Sequence, residues 1–556
     1  MNRSMKSFTN NFQPGSMMAS AVKKKCVMLW AMLLTVLAMQ AQTELYLKGN
    51  IVPGNSVLLT AKSATEWETE VTLDDSRVFL FSDKYVYFES PQTSYRSNNI
   101  RINGGTYTVT FNMNTKAWTF SAPVDEYRIS AFGSSVCNGQ GADGNKGYAY
   151  LYGELMKERY NTQVSEHPFY TSGISIGGNN TQNLLDRYAE MTRNYSRYVI
   201  VGLSMGNEGI HESNNKEQTL NQFSTNMQTI VRKIKADGKI PVIMNNYTRG
   251  DFTLEDYKYI KEMNLQIHQW DVASFNTLGA IDDGTGKWAS GYQQDNAHPT
   301  TNGHKEFFYA MTPSLFDALA SGKAQPVRDS SKEMTLANGS QLQFSGEGTV
   351  HPFAITLRVK GNAEGRLLTY KMATGSREGT LTVDAEGHVL YTNASKKVLT
   401  STGTLNDNDW HYITLTHYYA QGRTLLYLDN EAVGEQRERL SNIKDWYVGD
   451  EADSVSRKFS ELLFWRSALT PEEVKAVTEG KMLKSSLELY VPLASATSLQ
   501  NLAMSLNTVQ YVEKPSGIQA LEAAPVQQLQ CYDLQGRVAS TPLRGIFVQN
   551  GRKIVR

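Results

Sequence analysis

The sequence predicts a multidomain protein in which a central α/β domain with a doubly wound parallel sheet is flanked by all-β sandwich domains. The chain has 556 residues, more than a single hydrophobic core accommodates. Between residues 125 and 322, short apolar runs alternate with helical periods, whereas a period of two dominates both flanks. The change of period at both borders predicts the order of the domains.

Composition and charge narrow the function classes. The chain is 40% hydrophobic and 20% charged, which is typical of folded domains rather than of disordered chains. The 55 Lys and Arg residues balance 55 Asp and Glu residues, so no net positive field attracts a nucleic acid, and we expect no such partner. Three cysteines, Cys26, Cys137 and Cys531, are too few and too far apart for a disulfide framework or a CxxC metal site.

Residues 1–41 are predicted to be a secretory signal peptide. Three lysines at 23–25 precede an apolar run from Val27 to Ala38, and the small residue Ala41 stands before the expected cleavage point. The run is too short to cross a hydrocarbon core of roughly 30 Å as a helix; an uncleaved anchor is the alternative. No later segment is apolar enough to span a bilayer. We expect an extracytoplasmic protein, periplasmic, cell-surface or secreted, with no transmembrane segment after cleavage.

Residues 42–124 are predicted to form an N-terminal β-sandwich module. Tyr107, Val109 and Phe111 alternate with threonines, as in a half-buried strand. The opening Leu-Tyr-Leu-Lys-Gly and the closing Gly-Thr-Tyr-Thr-Val-Thr-Phe resemble the small β modules of outer-membrane starch-binding proteins. The resemblance implies sugar binding by aromatic stacking. Candidates for stacking, which are otherwise core residues, are Trp67, Tyr87 and Trp118.

Residues 125–322 are predicted to form the α/β domain. Ile129–Phe132, Tyr198–Leu203 and Ile240–Met244 are short apolar runs typical of buried parallel strands. Apolar residues between Phe223 and Ile234 recur at spacings of three and four, which predicts a helix. In such sheets the ligand site lies outside the carboxyl ends of the strands, so the loops that follow the strands are the candidate site.

Residues 323–514 are predicted to form a second sandwich, and residues 515–556 a short β tail. Alternating residues predict strands around Ile355, Ile413 and Leu426, and Thr470 with Pro471 predicts one helix start. Trp410-His411-Tyr412 and the run from Phe464 to Thr470 resemble laminin-G, concanavalin A-like domains. The tail, with two short β runs around Cys531 and Val548, resembles C-terminal sorting modules; a β appendage without that role is the alternative.

Four loops of the α/β domain carry the residue types that nucleophilic catalysis by serine requires. Ser135 follows the first strand, and Asp295 precedes His298 by three residues, so that one loop can orient the imidazole toward the serine. Negative charge on a carbonyl oxygen needs fixed donors. The Ser135 amide, the Gly178 amide and the Asn207 side chain are the candidates for this oxyanion hole. His268 is a further candidate for lining the site.

These four loops together resemble the SGNH (GDSL-like) hydrolase family, a flavodoxin-like α/β fold whose blocks supply Ser, Gly, Asn and His in this order. Ser135 rather than Ser134 fits the nucleophile because Gly139 follows four residues later. Gly178 fits the oxyanion glycine because Arg187 follows nine residues later. Two departures stand out: Ser134 replaces the usual acid of the first block, and Glu208 follows Asn207 where the family has Asp.

The resemblance implies a carboxylic ester hydrolase that forms an acyl-serine intermediate with Ser135, His298 and Asp295, without a cofactor or a metal. Because the flanking modules resemble carbohydrate-binding domains, we expect a carbohydrate acetylesterase acting on an acetylated polysaccharide or oligosaccharide. A lipase or thioesterase acting on longer acyl chains and an inactive glycan-binding protein are the alternatives. The sequence leaves open which ester or glycan is used, calcium binding, the oligomeric state and cleavage of the tail.

Overall fold

The structure is a computed structural model that describes residues 43–76, 84–160, 169–336, 339–373, 377–450 and 457–513, together with four short strands of the tail. The predicted signal peptide and Cys26 lie outside the described residues. The chain divides into two compact units with the boundary after Tyr511. No helix in the described ranges is long and apolar enough to cross a bilayer.

The N-terminal module consists of two four-stranded antiparallel sheets, ordered β2-β1-β5-β6 and β3-β4-β7-β8. Tyr107, Val109 and Phe111 of β7 all point into the core, as their alternation predicts, and Phe111 packs on Phe88 with ring centroids 4.7 Å apart. The strands are β1 (Tyr46–Gly49), β2 (Ser56–Leu58), β3 (Thr60–Ala61), β4 (Glu66–Leu73), β5 (Val86–Ser90), β6 (Tyr95–Arg96), β7 (Gly105–Asn112) and β8 (Trp118–Ser121).

The three aromatic residues considered for sugar stacking have other contacts. Trp67 is 3% exposed and belongs to the core. Trp118 packs against Phe120, and the guanidinium of Arg193 from the α/β domain lies 5.2 Å from its ring centroid. The Tyr87 ring carries the guanidinium of Arg96 at 3.9 Å. Trp67 therefore has the core role, which the sequence favoured over sugar stacking.

The α/β domain contains a five-stranded parallel sheet with the order β10-β9-β11-β12-β13. This doubly wound order confirms the predicted fold class and is the flavodoxin-like one. The sheet comprises β9 (Asp125–Gly133), β10 (Tyr170–Gly173), β11 (Ser196–Gly202), β12 (Ile240–Met244) and β13 (Ala273–Phe275). The helices are α1 (Tyr148–Arg159), α2 (Thr181–Asp186), α3 (Tyr188–Thr192), α4 (Lys216–Ala236), α5 (Leu254–Ile267), α6 (Leu278–Ile281), α7 (Thr301–Tyr309) and α8 (Leu315–Ala320).

Residues 334–511, the sandwich domain, form two antiparallel sheets around one large apolar core. One sheet has the order β14-β25-β16-β21-β22-β23 with β26 on β25, and the other runs β20-β19-β18-β17-β24-β15. The strands are β14 (Met334–Leu336), β15 (Ser340–Ser345), β16 (Phe353–Lys360), β17 (Gly365–Met372), β18 (Glu378–Val383), β19 (His388–Thr392), β20 (Val398–Thr404), β21 (Trp410–Tyr418), β22 (Arg423–Leu428), β23 (Glu431–Arg437), β24 (Ile443–Gly449), β25 (Arg457–Trp465), β26 (Leu487–Pro492) and β27 (Gln510–Glu513).

The helix predicted in the sandwich domain is α9 (Pro471–Thr478). The Thr470 side chain accepts a hydrogen bond from the Glu473 amide, and the Glu473 carboxylate accepts one from the Thr470 amide, which completes a capping box. Proline occupies the first helical position, where the missing N–H costs nothing. The predicted start of this helix is confirmed.

In the tail, four short strands form one antiparallel sheet with the order β29-β28-β30-β31. They are β28 (Cys531–Tyr532), β29 (Val538–Ala539), β30 (Ile546–Gln549) and β31 (Arg552–Val555). The two β runs predicted around Cys531 and Val548 therefore form strands. A role of this sheet in sorting stays a prediction.

Candidate active site

The serine loop begins where β9 ends, at the point of the sheet where the strand order reverses. Gly133 lies opposite Gly202 of β11, and a Cβ on Gly133 would come within 2.0 Å of the Gly202 carbonyl oxygen. Only glycine permits this approach. The Ser134 amide then donates to the same carbonyl oxygen at 3.1 Å, and the chain turns so that Ser135 stands at the edge of the sheet, 8% exposed. This is the position in which open α/β sheets bind ligands.

The histidine loop orients its imidazole through Asp295. The Asp295 carboxylate accepts hydrogen bonds from the amides of Ala297 and His298, at 2.8 and 2.9 Å. It lies 2.8 Å from His298 Nδ1, and His298 Nε2 lies 2.9 Å from Ser135 Oγ. Because an ionised carboxylate can only accept, Nδ1 carries the proton and Nε2 is free to accept the serine proton. The three side chains predicted from the sequence thus form one hydrogen-bonded chain.

Asp295 is ionised at neutral pH. Partial burial raises the pKa of its carboxyl, but the hydrogen bond with His298 and those from the two loop amides lower it by more, so that the pKa lies below its ordinary value of 3.8. The side chain is nevertheless 53% exposed. The rim of the site is therefore open to solvent on the Asp295 side.

The loops that hold Gly178 and Asn207 meet beside Ser135. A Cβ built on Gly177 would lie 3.8 Å from Ser135 Cβ, and Gly178 adopts a φ of +76°, which favours glycine. Asn207 Nδ2 donates to the backbone oxygen of Asn179 at 3.1 Å. An amide nitrogen carries two protons, so this contact leaves one proton of Asn207 Nδ2 for a ligand. Gly178 and Asn207 therefore lie in two loops that contact each other, one of which passes beside Ser135.

Glu208 is a residue whose role was missed from the sequence. Its carboxylate accepts from the Thr181 amide at 3.0 Å and from the Thr181 hydroxyl, at the first turn of α2. Burial raises the pKa of Glu208, and the two hydrogen bonds from Thr181 oppose that rise. Glu208, which departs from the family pattern, therefore links the Asn207 loop to α2, the helix that follows Gly178. Its position directly after Asn207 was the available signal, but the distant partner was not visible in the sequence.

Arg187 fixes the same loop from its other end. Its Nε donates to Asn179 Oδ1 and one terminal nitrogen donates to the Ile174 oxygen, both at 2.7 Å. A second terminal nitrogen lies 3.4 Å from the Gly133 oxygen at the end of β9. Arg187 therefore positions the loop of Gly178 relative to the serine strand.

Polar side chains link the loops that follow β10, β11 and β12. Asn207 donates to Asn179, and the Arg249 side chain packs directly on Gly206 while its guanidinium binds Asp251. The Gly250 amide donates to the Asn296 oxygen at 2.8 Å, which brings the Arg249 loop to the histidine loop. These contacts join the Asn207 loop, the Arg249 loop and the histidine loop.

Three other titratable residues of the domain have structural contacts. Cys137 is 2% exposed, and burial raises the pKa of its thiol, so it is not a competing nucleophile. His304 is buried in α7, where desolvation lowers its pKa to about 4, and Nε2 donates to the Gln140 oxygen at 2.9 Å. The interpretation of His268 as a residue that lines the site is wrong. It is fully buried, and its Nε2 lies 3.0 Å from Glu473 of the sandwich domain.

Comparison with known proteins gives one family match and several distant structural similarities. Similar solved structures include a mutant of an acetyl-xylooligosaccharide esterase from Geobacillus Stearmophilus (15% identity, 34% of this chain and 94% of that chain, TM-score 0.28). A lipase from a goat rumen metagenome (15%, 33% and 93%, 0.28) and a SAP-like pentraxin from Limulus polyphemus (16%, 34% and 98%, 0.24) are also similar. No curated protein matches the chain.

The family match covers β9 to α7 and so includes all four loops described above. The family is the GDSL-like lipase/acylhydrolase family, and its model matches residues 131–306. Residues 131–306 are thus a hydrolase domain of the GDSL-like lipase/acylhydrolase family.

Proposed function

We propose that the protein is a secreted serine esterase that removes O-acetyl groups from an acetylated polysaccharide or oligosaccharide. The observation that carries the proposal is the hydrogen-bonded chain from Ser135 Oγ through His298 to the Asp295 carboxylate. A serine hydroxyl is a weak nucleophile until a base takes its proton and a third group holds that base in the right tautomer. These three residues are in the positions that such a mechanism requires.

The reaction then proceeds in two halves. Ser135 Oγ attacks the ester carbonyl carbon while its proton moves to His298 Nε2, and the negative charge on the carbonyl oxygen is met by the amides of Ser135 and Gly178 and by Asn207 Nδ2. The bond to the leaving alcohol breaks, and His298 returns the proton to that oxygen. Water, activated by the same imidazole, attacks the acyl-serine and releases acetate. The carboxylate of Asp295 stabilises the imidazolium in both halves.

Polar side chains in the loops at this edge of the sheet support a hydroxylated substrate with a small acyl group. Asn179, Asn207 and Arg249 lie in the loops that follow β10, β11 and β12, and the Asp295 side chain is open to solvent. Amide and guanidinium groups bind sugar hydroxyls, whereas a long acyl chain requires an apolar groove to leave water. Location outside the cytoplasm rests on the predicted signal peptide and is part of the proposal.

Release of acetate tests the substrate class. We expect the purified protein to release acetate from at least one of acetylated xylan, acetylated pectin or acetylated oligosaccharides. Enzymatic assay of free acetate measures the release, with Ser135→Ala as the blank. An enzyme that cleaves small aryl esters but none of these glycans would refute the carbohydrate assignment. If no ester is cleaved while a polysaccharide binds, the alternative of an inactive glycan-binding protein takes its place.

Acyl-chain dependence separates an acetylesterase from a lipase or thioesterase. We expect kcat/KM for 4-nitrophenyl acetate to exceed that for the octanoate by about tenfold or more, because in the proposed acetylesterase the site is matched to an acetyl group and extra methylenes gain no buried apolar contact. Initial rates across the acetate, butyrate and octanoate esters measure the trend. A rate that rises with chain length would favour the lipase or thioesterase instead.

Asp295→Asn is expected to lower kcat by about 10²- to 10⁴-fold with little change in KM, because an asparagine can donate to Nδ1 and so stabilise the wrong tautomer of His298. In the native protein the contribution of this carboxylate is complete above its ordinary pKa of 3.8. It is lost only as the pH falls through the lowered pKa. Steady-state kinetics of the native protein and the variant at neutral pH check the fall in kcat, and the same comparison continued below pH 3.8 checks the loss of the contribution. A variant with unchanged kcat at neutral pH would show that Asp295 does not orient the base.

A further inference from the structure

We propose that the sandwich domain positions the base of the active site, and that it does so through helix α7, with His351 and Arg466 as positioning residues. The inference rests on the proposed function, because it assigns a role in the reaction of Ser135 and His298. A tethered binding module meets its neighbour through a modest, polar interface. The contacts of the sandwich domain with α7 instead include buried charged side chains and a shared apolar core.

Helix α7 connects the two catalytic loops. It begins three residues after His298, with the Thr300 side chain as its N-cap. From the helix, His304 Nε2 donates to the Gln140 oxygen at 2.9 Å, and the Gln140 amide donates to the Ser135 oxygen at 3.0 Å. The Thr301 hydroxyl accepts from the Asp143 amide at 3.0 Å. A shift of α7 would therefore move the histidine loop and the serine loop relative to each other.

The middle of α7 is held by His351 of the sandwich domain. The Glu306 carboxylate, in a residue 4% exposed, lies 3.0 and 3.2 Å from His351 Nδ1. The His351 ring stacks on Tyr419, with centroids 3.9 Å apart and an interplanar angle of 18°. Arg439 donates to the backbone oxygens of Tyr419 and Ala420 at 3.1 and 3.0 Å. The Glu306 side chain of α7 is thus held in place by contacts that continue into the sandwich domain.

The C-terminal end of α7 is capped by the sandwich domain. The last carbonyls of a helix lack intrahelical partners and need donors from elsewhere. Arg466 Nε donates to the Tyr309 oxygen at 2.8 Å, and Ser486 Oγ donates to the Ala310 oxygen at 2.6 Å. Arg466 is 1% exposed, and its other donors are taken within the sandwich by Glu488 at 2.7 Å and by the Glu347 and Thr349 oxygens. The guanidinium therefore joins α7 both to β26 and to the loop between β15 and β16.

The two domains also share apolar core. Ala420 and Met504 of the sandwich domain belong to the same buried cluster as Phe307 and Ala310, at the end of α7. Separation of the domains would expose this apolar surface and leave the Tyr309 and Ala310 oxygens without their donors Arg466 and Ser486, both of which are unfavourable. The α/β domain thus depends on the sandwich domain for the placement of α7.

His351→Ala in the full-length chain tests the inference. We expect kcat for 4-nitrophenyl acetate to fall by about tenfold or more while KM changes by less than about twofold, because small displacements of a base reduce the rate without removing substrate contacts. Hydrogen exchange of the peptide over residues 292–304 should become about tenfold faster. His351→Asn, whose amide nitrogen can replace Nδ1 as donor to Glu306, should restore at least about a third of kcat. Ser486→Ala, a smaller change at the other anchor, should shift both readouts in the same direction.

Val389→Ala provides the matched control, because Val389 is fully buried in the core of the sandwich. We expect it to lower the thermal midpoint while kcat and exchange over 292–304 stay at the native values. If His351→Ala keeps kcat within about twofold and exchanges as the control does, the positioning role is refuted. Exchange does not depend on the reaction: a chain that cleaves no ester would refute the proposed function, and the exchange result would still decide whether the sandwich holds α7.

Discussion

Ser135→Ala is expected to lower kcat/KM for ester hydrolysis by about 10³- to 10⁶-fold, because it removes the hydroxyl that is placed to form the acyl intermediate. Ser135 Oγ lies 2.9 Å from His298 Nε2, and an alanine leaves that base without a proton to accept. Initial rates with 4-nitrophenyl acetate, together with mass spectrometry of acyl-enzyme trapped at low pH, measure the loss. KM should change little, since the oxyanion donors remain.

Ser134→Ala is the matched control. Ser134 is the adjacent residue, is 1% exposed, and its Oγ has no hydrogen-bond partner in the described structure. Loss of such a hydroxyl removes no satisfied interaction, so the rate should stay within about threefold of native. If Ser134→Ala abolishes hydrolysis and Ser135→Ala does not, the assignment of the nucleophile is wrong.

His298→Ala is expected to reduce kcat as severely as Ser135→Ala, because the two residues act as one unit. The double variant should therefore be no slower than either single variant, whereas independent contributions would multiply. Stopped-flow or long-time-course assays of all three proteins, with the same aryl acetate, measure this non-additivity.

His388→Ala serves as the control for loss of an imidazole. His388 is the first residue of β19 in the sandwich domain and pairs with Asp384, with Nδ1 3.2 Å from the carboxylate oxygen. We expect native kcat for this variant.

A double variant of Ser135 and His298 that is a further thousandfold slower than either single variant, roughly the product of two separate effects, would contradict a shared mechanism.

Local sequence patterns predicted most of the fold, because the period of apolar residues reflects which face of an element is buried. Ile240–Met244 was predicted as a strand and forms β12 with the same limits. The start of α9 was predicted from Thr470 and Pro471, since a helix cap depends only on residues within one turn. Ser135, Asp295 and His298 were singled out because short spacings link each to the end of a strand or to its own loop partner.

Partners far apart in the sequence could not be predicted in this way. His268 contacts Glu473 across 205 residues, and no local pattern distinguishes a buried interdomain histidine from one that lines a site. Glu208 was seen as a departure from a family pattern, but its bond to Thr181 depends on how β11 and α2 pack. The sequence by itself determined the elements, their order and the types of catalytic residue, because each depends on neighbours along the chain. Only the tertiary structure decided that the sandwich domain holds α7, because that contact arises from packing between surfaces that the sequence keeps apart.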